Sequence, residues 1–165
     1  MSSSLDPEAA REAALRLIDR MRRTRSDITR RLSDKGFASE DIEPLLDRLT
    51  AVGLIDDVEY ARAFLAGRWG RRAAGWRKLE MDLRKKGVSS ADIALGRAKL
   101  EAAQGAADEV GMARRAVEQA ARRYANLDPQ TRKRRLWGML QRRGFSTDVI
   151  VQALKAEVSA DSMEL

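Results

Sequence analysis

The sequence has no cysteine and no histidine. Without cysteine there is no disulfide framework, no thiolate nucleophile and no thiolate metal site. Without histidine the commonest general base and metal ligand is missing. Aromatic residues make up only 5% of the chain. Any core must therefore be built from Leu, Ile, Val, Met and Ala, a composition that favours helix over sheet. No apolar run approaches the roughly 18 residues of a membrane span. The opening MSSSLDPEAAREAA lacks the basic-then-apolar plan of a signal peptide, so a soluble cytoplasmic protein is expected. No glycine-rich run ends in Gly-Lys-Ser or Gly-Lys-Thr, which removes a Walker-type phosphate loop.

Charge is what the chain has in quantity. Asp, Glu, Lys and Arg make up 35% of its 165 residues, and 32 basic against 25 acidic residues leave +7. Such a chain is drawn to nucleic acid, an acidic protein surface or an anionic membrane. The charge is also segregated. Ala38 to Ala63 holds seven acidic and two basic residues, or −5; Ala66 to Gly87 holds eight basic and two acidic, or +6. Gly111 to Phe145 holds ten basic and two acidic, or +8. Too few carboxylates stand four residues from these clusters to neutralise them on a helix.

Three segments align without gaps: Ile28–Ile42, Leu79–Ile93 and Leu136–Ile150. Leu32, Leu83 and Leu140 correspond, and so do Gly36, Gly87 and Gly144. The preceding Ile28, Leu79 and Leu136 are their i, i+4 neighbours on one helix face. The glycine is expected just past the helix end, in a left-handed conformation. Phe37, Val88 or Phe145 can plug between two helices. Ser39, Ser90 or Thr147 is expected to cap the next helix. The unit is a helix, short turn and helix used three times. Asp6-Pro7 and Asp128-Pro129 read as helix starts, and Asp56 or Asp57 opens another helix with Ala61, Phe64 and Leu65 on its apolar face. A leading helix carries Ala10, Ala14, Leu17 and Met21 on one face. A further helix covers roughly Ala106 to Ala125. Pro44 is expected to distort the first turn of its helix or to shift the start toward Asp41.

The remaining candidates for chemistry are few. Asp56-Asp57 could be imagined as metal ligands, but capping a helix is the simpler role. Helix-turn-helix readers place the second helix of the pair in the major groove. Here those helices begin Ser39-Glu40-Asp41, Ser90-Ala91-Asp92 and Thr147-Asp148, and carboxylates there would be repelled by phosphates. Non-specific phosphate contact remains open. Trp69, Trp76 and Trp137 stand beside basic residues and could stack on bases. Trp137 follows a core position and is expected to pack, whereas Trp69 or Trp76 could anchor a partner.

These residues resemble the RecX family, bacterial regulators of the RecA recombinase. The matching stretches are Arg25-Ser26, LSDKGF, GLIDDVEYARAFLAGR, LRKKGVS and LQRRGFS. The resemblance covers about Leu15 to Leu154. The most specific is Gly53-Leu54-Ile55-Asp56-Asp57 leading into Tyr60-Ala61 and Phe64. One departure is Gly75-Trp76, where the family commonly has Gly-Pro. The resemblance implies an all-α, elongated, curved array of tandem three-helix modules. It implies binding in the groove of a RecA–DNA filament, with less filament growth, ATPase, strand exchange and co-protease activity. It implies no enzyme activity, cofactor or metal. The chain then divides into a tail and leading helix (1–23), a first module (24–73), a second (74–127) and a shortened third with its tail (128–165), acting as a monomer. The expected RecA- and DNA-binding residues are Arg68, Arg71, Arg72, Arg77, Lys78, Arg84, Lys85, Arg114, Arg122, Arg132, Arg134, Arg135 and Arg142. An acidic patch of Asp47, Asp56 and Glu59 is a further candidate contact with RecA. A general nucleic-acid-binding protein acting without RecA is the alternative reading, and an adaptor for some other acidic protein is a third.

Overall fold

The computed structural model describes residues 6–68 and 74–161, with side chains through Lys155. The described residues form nine α-helices and one 3-10 turn. They are α1 (Pro7–Arg20), α2 (Arg25–Asp34), α3 (Ser39–Ala51), α4 (Asp57–Arg68), α5 (Trp76–Lys85), α6 (Ser90–Gln104), α7 (Glu109–Ala121), α8 (Pro129–Arg142) and α9 (Thr147–Asp161). The 3-10 turn, Arg122–Tyr124, follows α7.

The chain gathers into two compact units. The first comprises residues up to Leu65 with Asp82–Leu100; the second comprises Ala66–Met81 with Glu101–Leu165. In the first unit, Ala10 and Ala14 of α1 pack with Ile28 and Leu32 of α2, with Ile42, Leu45, Leu46 and Leu49 of α3, and with Ile55. Each fully buried Leu or Ile side chain here is worth about 1.5–3 kcal/mol. The apolar face of α1 stops short of its expected end. The helix closes at Arg20, the chain turns extended at Met21, and Met21 is 58% exposed. Ala61, Phe64 and Leu65 of α4 are buried, as the spacing predicts. Gly96 of α6 lies so close to α4 that a Cβ there would meet Ala61 Cβ and the Val58 carbonyl, both at 2.8 Å. In the second unit, Met112, Ala113, Ala116 and Val117 of α7 pack with Leu136 and Leu140 of α8, with Phe145, and with Ile150, Ala153 and Leu154 of α9.

The three glycine turns share one hydrogen-bond pattern. Gly36, Gly87 and Gly144 have φ of 93°, 82° and 85°. Their N–H groups donate to Ser33, Arg84 and Gln141, each at 2.9 Å. The next residue then reaches back to the aligned leucine: Phe37 to the Leu32 carbonyl (3.2 Å), Val88 to Leu83 (3.1 Å) and Phe145 to Leu140 (3.2 Å). This is the paired closure of a Schellman motif, whose terminal residue makes the apolar contact expected of the plug position.

Two expectations need correction. The cap of the following helix lies one residue earlier than Ser39, Ser90 and Thr147. Ser89 Oγ accepts from the Asp92 N–H at 3.1 Å and Ser146 Oγ from Val149 at 3.5 Å. The Schellman closure ends on the plug residue, three residues past the leucine's helix, so the extended cap follows the plug directly. In the first unit that position is Ala38, which offers no side-chain acceptor. Pro44 does not displace the start of α3. The helix begins at Ser39 and runs through it, forgoing only the bond that N–H would have made to Glu40 one turn back.

Candidate binding surface

Registering the repeated helices on their leucines shows what each offers outward. On α5, Arg77, Lys78, Arg84 and Lys85 are exposed on the side opposite buried Leu79 and Leu83. On α8 the same positions hold Arg134, Arg135, Gln141 and Arg142, all exposed, opposite buried Leu136 and Leu140. On α2 they hold Ser26, Asp27, Ser33 and Asp34. The basic face is therefore a property of the second and third repeats, and the first repeat lacks it. On α7, Arg114 and Arg115 are exposed about two turns before Arg122 and Arg123, forming a separate basic stripe. Arg115, Arg123 and exposed Lys133 extend the sequence-based set. Their place beside Arg114, Arg122 and Arg134 in runs of adjacent basic residues was the signal for them.

Arg77, Lys78, Arg84, Lys85, Arg114, Arg122, Arg134, Arg135 and Arg142 form no ion pair with any described residue. Arg68 is exposed and Arg132 half-buried, and each has a partner of its own. Arg71, Arg72 and Trp69 lie outside the described residues. Arginines nearer the N-terminus differ. Arg23, Arg30 and Arg31 all reach Asp27, at 2.8, 2.6 and 3.0 Å. Burial acts against ionisation of Asp27, but hydrogen bonds from these three guanidinium groups hold it down at about 2. Arg11 pairs with Glu8 and Arg16 with Glu12.

Each of the acidic candidates is engaged within the chain. Asp47 and Glu43 both accept from Arg25 Nη2 at 2.8 Å. Glu59 accepts from Arg62 at 2.7 Å and from Arg22 at 3.1 Å. Those arginines, Arg62 foremost, lower its pKa to about 2. Asp56 Oδ1 accepts from the Glu59 N–H at 2.9 Å and so caps α4. Asp57 caps a different helix, accepting from the Arg25 N–H at the start of α2 at 2.9 Å. The capping role suggested for one member of the Asp56-Asp57 pair thus holds for both.

Asp57 belongs to a joint that the sequence did not reveal. Thr24, 2% exposed, donates its hydroxyl to the Lys86 carbonyl at 2.8 Å and accepts from the Asp27 N–H at 3.1 Å. A Cβ on Gly87 would collide with Ser26. The second unit contains the same joint one repeat later. The Gly75 N–H donates to the Arg143 carbonyl at 2.8 Å, the Trp76 N–H donates to Glu109 Oε1 at 3.0 Å, and a Cβ on Gly144 would meet the Lys78 nitrogen at 2.6 Å. In each case the first helix of one repeat starts on the glycine turn of the next repeat, within the same compact unit. A carboxylate from the helix leading that next repeat, Asp57 or Glu109, caps it. Trp76 is 5% exposed within this joint, so it is not a stacking platform. Trp137 is half-buried against the core of the second unit, as expected.

Comparison with known proteins gives the arrangement a family. Residues 10–49 match the model of the first three-helix domain of RecX, 56–95 that of the second and 107–154 that of the third. The regulatory protein RecX of Thermobifida fusca is 33% identical over 94% of this chain and 82% of its own length. That of Mycobacterium ulcerans is 36% identical over 93% and 87%. The crystal structure of RecX from Lactobacillus salivarius superposes with a TM-score of 0.80 at 21% identity, covering 91% of this chain and 95% of that one. A second crystal structure, of a regulatory protein RecX, gives 0.78 at 25% identity, covering 90% and 73%. The fold is thus all-α, with three tandem three-helix domains.

Proposed function

The chain belongs to the RecX family, and on that premise we propose that it is a regulator, mainly an inhibitor, of the RecA recombinase. It binds along the groove of the RecA–DNA filament and limits filament growth, ATP hydrolysis, strand exchange and co-protease activity. It does so by occupancy, without catalysis or a cofactor. The observation that carries this reading is the pair of basic faces on α5 and α8, whose exposed cations have no carboxylate partner among the described residues. Unneutralised guanidinium groups on rigid helices suit both an acidic protein groove and DNA phosphates. Asp47, Asp56 and Glu59 are already engaged within the chain, so they offer a neighbouring RecA protomer less than the basic faces do. The same unpaired cations favour one alternative, a nucleic-acid-binding protein acting without RecA.

The test is a titration into RecA-coated single-stranded DNA, following ATP hydrolysis and filament length. Hydrolysis and length should both fall at stoichiometries where the protein binds. Charge reversal at Arg134 and Arg135 should weaken the effect. Unchanged hydrolysis and length at saturation would sink the regulator reading, and binding to free single-stranded DNA with a steep salt dependence would then favour the alternative.

A further inference from the structure

The two basic faces differ at their centre. On α5 the position farthest from Leu79 and Leu83 holds Met81, 53% exposed. On α8 the corresponding residue is Gly138. Glycine is the poorest helix former after proline, so in a helix interior it needs a reason. Tight packing is the usual one, as at Gly96, where a Cβ would strike α4. Gly138 has no such neighbour among the described residues. A Cβ there would meet only Arg142 Nη1, at 3.2 Å, the far end of a flexible side chain. Its φ is not in the left-handed region, so backbone conformation does not demand glycine either.

What surrounds Gly138 is cationic. Arg134, Arg135 and Arg142 flank it with Gln141 on the exposed side of α8, and no residue from Pro129 to Arg142 is acidic. The face also lacks an apolar group at its centre, so a partner gains charge contacts and close approach there, with no hydrophobic anchor. A protein surface would be served better by a face such as that of α5, where Met81 supplies a soft apolar contact among cations. A phosphodiester backbone needs no apolar contact, and it gains from lying against a helix without a side chain to hold it away.

We propose that the α8 face, centred on Gly138, is a seat for a nucleic-acid phosphodiester backbone, with Arg134, Arg135 and Arg142 as its phosphate ligands and Gly138 permitting close approach. This deepens the reading given under Proposed function, since it assigns one basic face to the DNA rather than to the recombinase.

Gly138→Gln tests it, because the change is neutral in charge and favourable to helix. The full-length protein is titrated against labelled oligothymidylate at several salt concentrations and against polyglutamate as a protein-like polyanion. The expected result is a higher melting temperature with oligothymidylate affinity reduced about tenfold, and a salt slope shallower by about one phosphate contact. Polyglutamate affinity should not change. Gly138→Ala should give the same signs with a smaller loss, and it keeps the test valid should glutamine disturb folding. Gly67→Ala, at an exposed helical glycine with open space around it, should raise the melting temperature without loss of binding.

Three outcomes overturn the proposal: no oligothymidylate binding by the parent protein, unchanged affinity in the Gly138 variants, or an equal loss toward polyglutamate. The RecA titration is scored separately. A parent protein that binds oligothymidylate through Gly138 but leaves RecA-coated DNA unaffected refutes the regulator reading and leaves this seat standing.

Discussion

Asp57 is half-buried, faces Asp92 and Asp56, and receives one backbone N–H from Arg25. Burial raises its pKa first; the Arg25 bond lowers it, and repulsion from Asp92 and Asp56 raises it further, leaving it above its ordinary value. The folded state therefore binds this proton more tightly than the unfolded chain does. Ionised Asp57 costs stability at neutral pH, and the cost disappears as pH falls through the raised pKa. Asp27 and Glu59 act in the opposite sense. Both are lowered to about 2, so their stabilisation is present above the ordinary carboxylate range and is lost as pH falls toward about 2. For Asp27, the distance from 3.8 to about 2 corresponds to roughly 2 kcal/mol. Asp57→Asn keeps an oxygen acceptor for the Arg25 N–H and removes the buried charge. It should match or exceed the parent in thermal stability at pH 7, and that advantage should shrink as pH is lowered below the raised pKa. Melting curves of both proteins across this range check it. An advantage that grows on acidification would mean that the charged form is the one the fold favours.

At the scale of the element, the caps explain which features could be read from sequence. The aligned Leu and Gly residues placed the turns correctly because a Schellman closure needs glycine at one fixed offset. The same alignment put the cap one residue late. Ser39, Ser90 and Thr147 are all hydroxyl residues and look like caps, whereas the true cap position holds Ala38, Ser89 and Ser146. The alanine hid the pattern. It also leaves α3 without the side-chain acceptor found at Ser89 of α6. Ala38→Ser should therefore supply an oxygen for the Asp41 N–H, as Ser89 does for Asp92, and stabilise the chain by about 1 kcal/mol. Chemical denaturation at neutral pH measures this directly, and an unchanged midpoint would show that the Ala38 backbone cannot present the hydroxyl. The joints at Lys86 and Arg143 were illegible for a different reason. They use backbone carbonyls, together with a threonine and carboxylates about 30 to 60 residues away, and no local periodicity reports such pairings.

For the molecule as a whole, the net charge of +7 gives a weaker account of binding than the distribution of that charge. The sequence disclosed the segregation of charge, but not which cations are already spent. Arg11, Arg16 and Arg30 each have a carboxylate within 3.5 Å, whereas Arg134, Arg135 and Arg142 have none among the described residues. That difference separates two models with equal arithmetic. Each arginine-to-glutamate reversal removes two charges, so reversing either trio takes the chain from +7 to +1. If affinity for a polyanion follows the overall field, the two triple variants should weaken equally. If it follows phosphate contacts on one helix face, only the Arg134, Arg135 and Arg142 variant should lose affinity, with a salt slope shallower by about three contacts. The second result is expected. Reversing Arg11 and Arg16 breaks exposed pairs of small individual worth, and reversing Arg30 leaves Asp27 its contacts with Arg23 and Arg31, so that variant should stay folded and serve as the matched charge control. Equal losses of affinity and slope in both variants would show that the protein attracts polyanions by its total charge, and the α8 face would have no special claim.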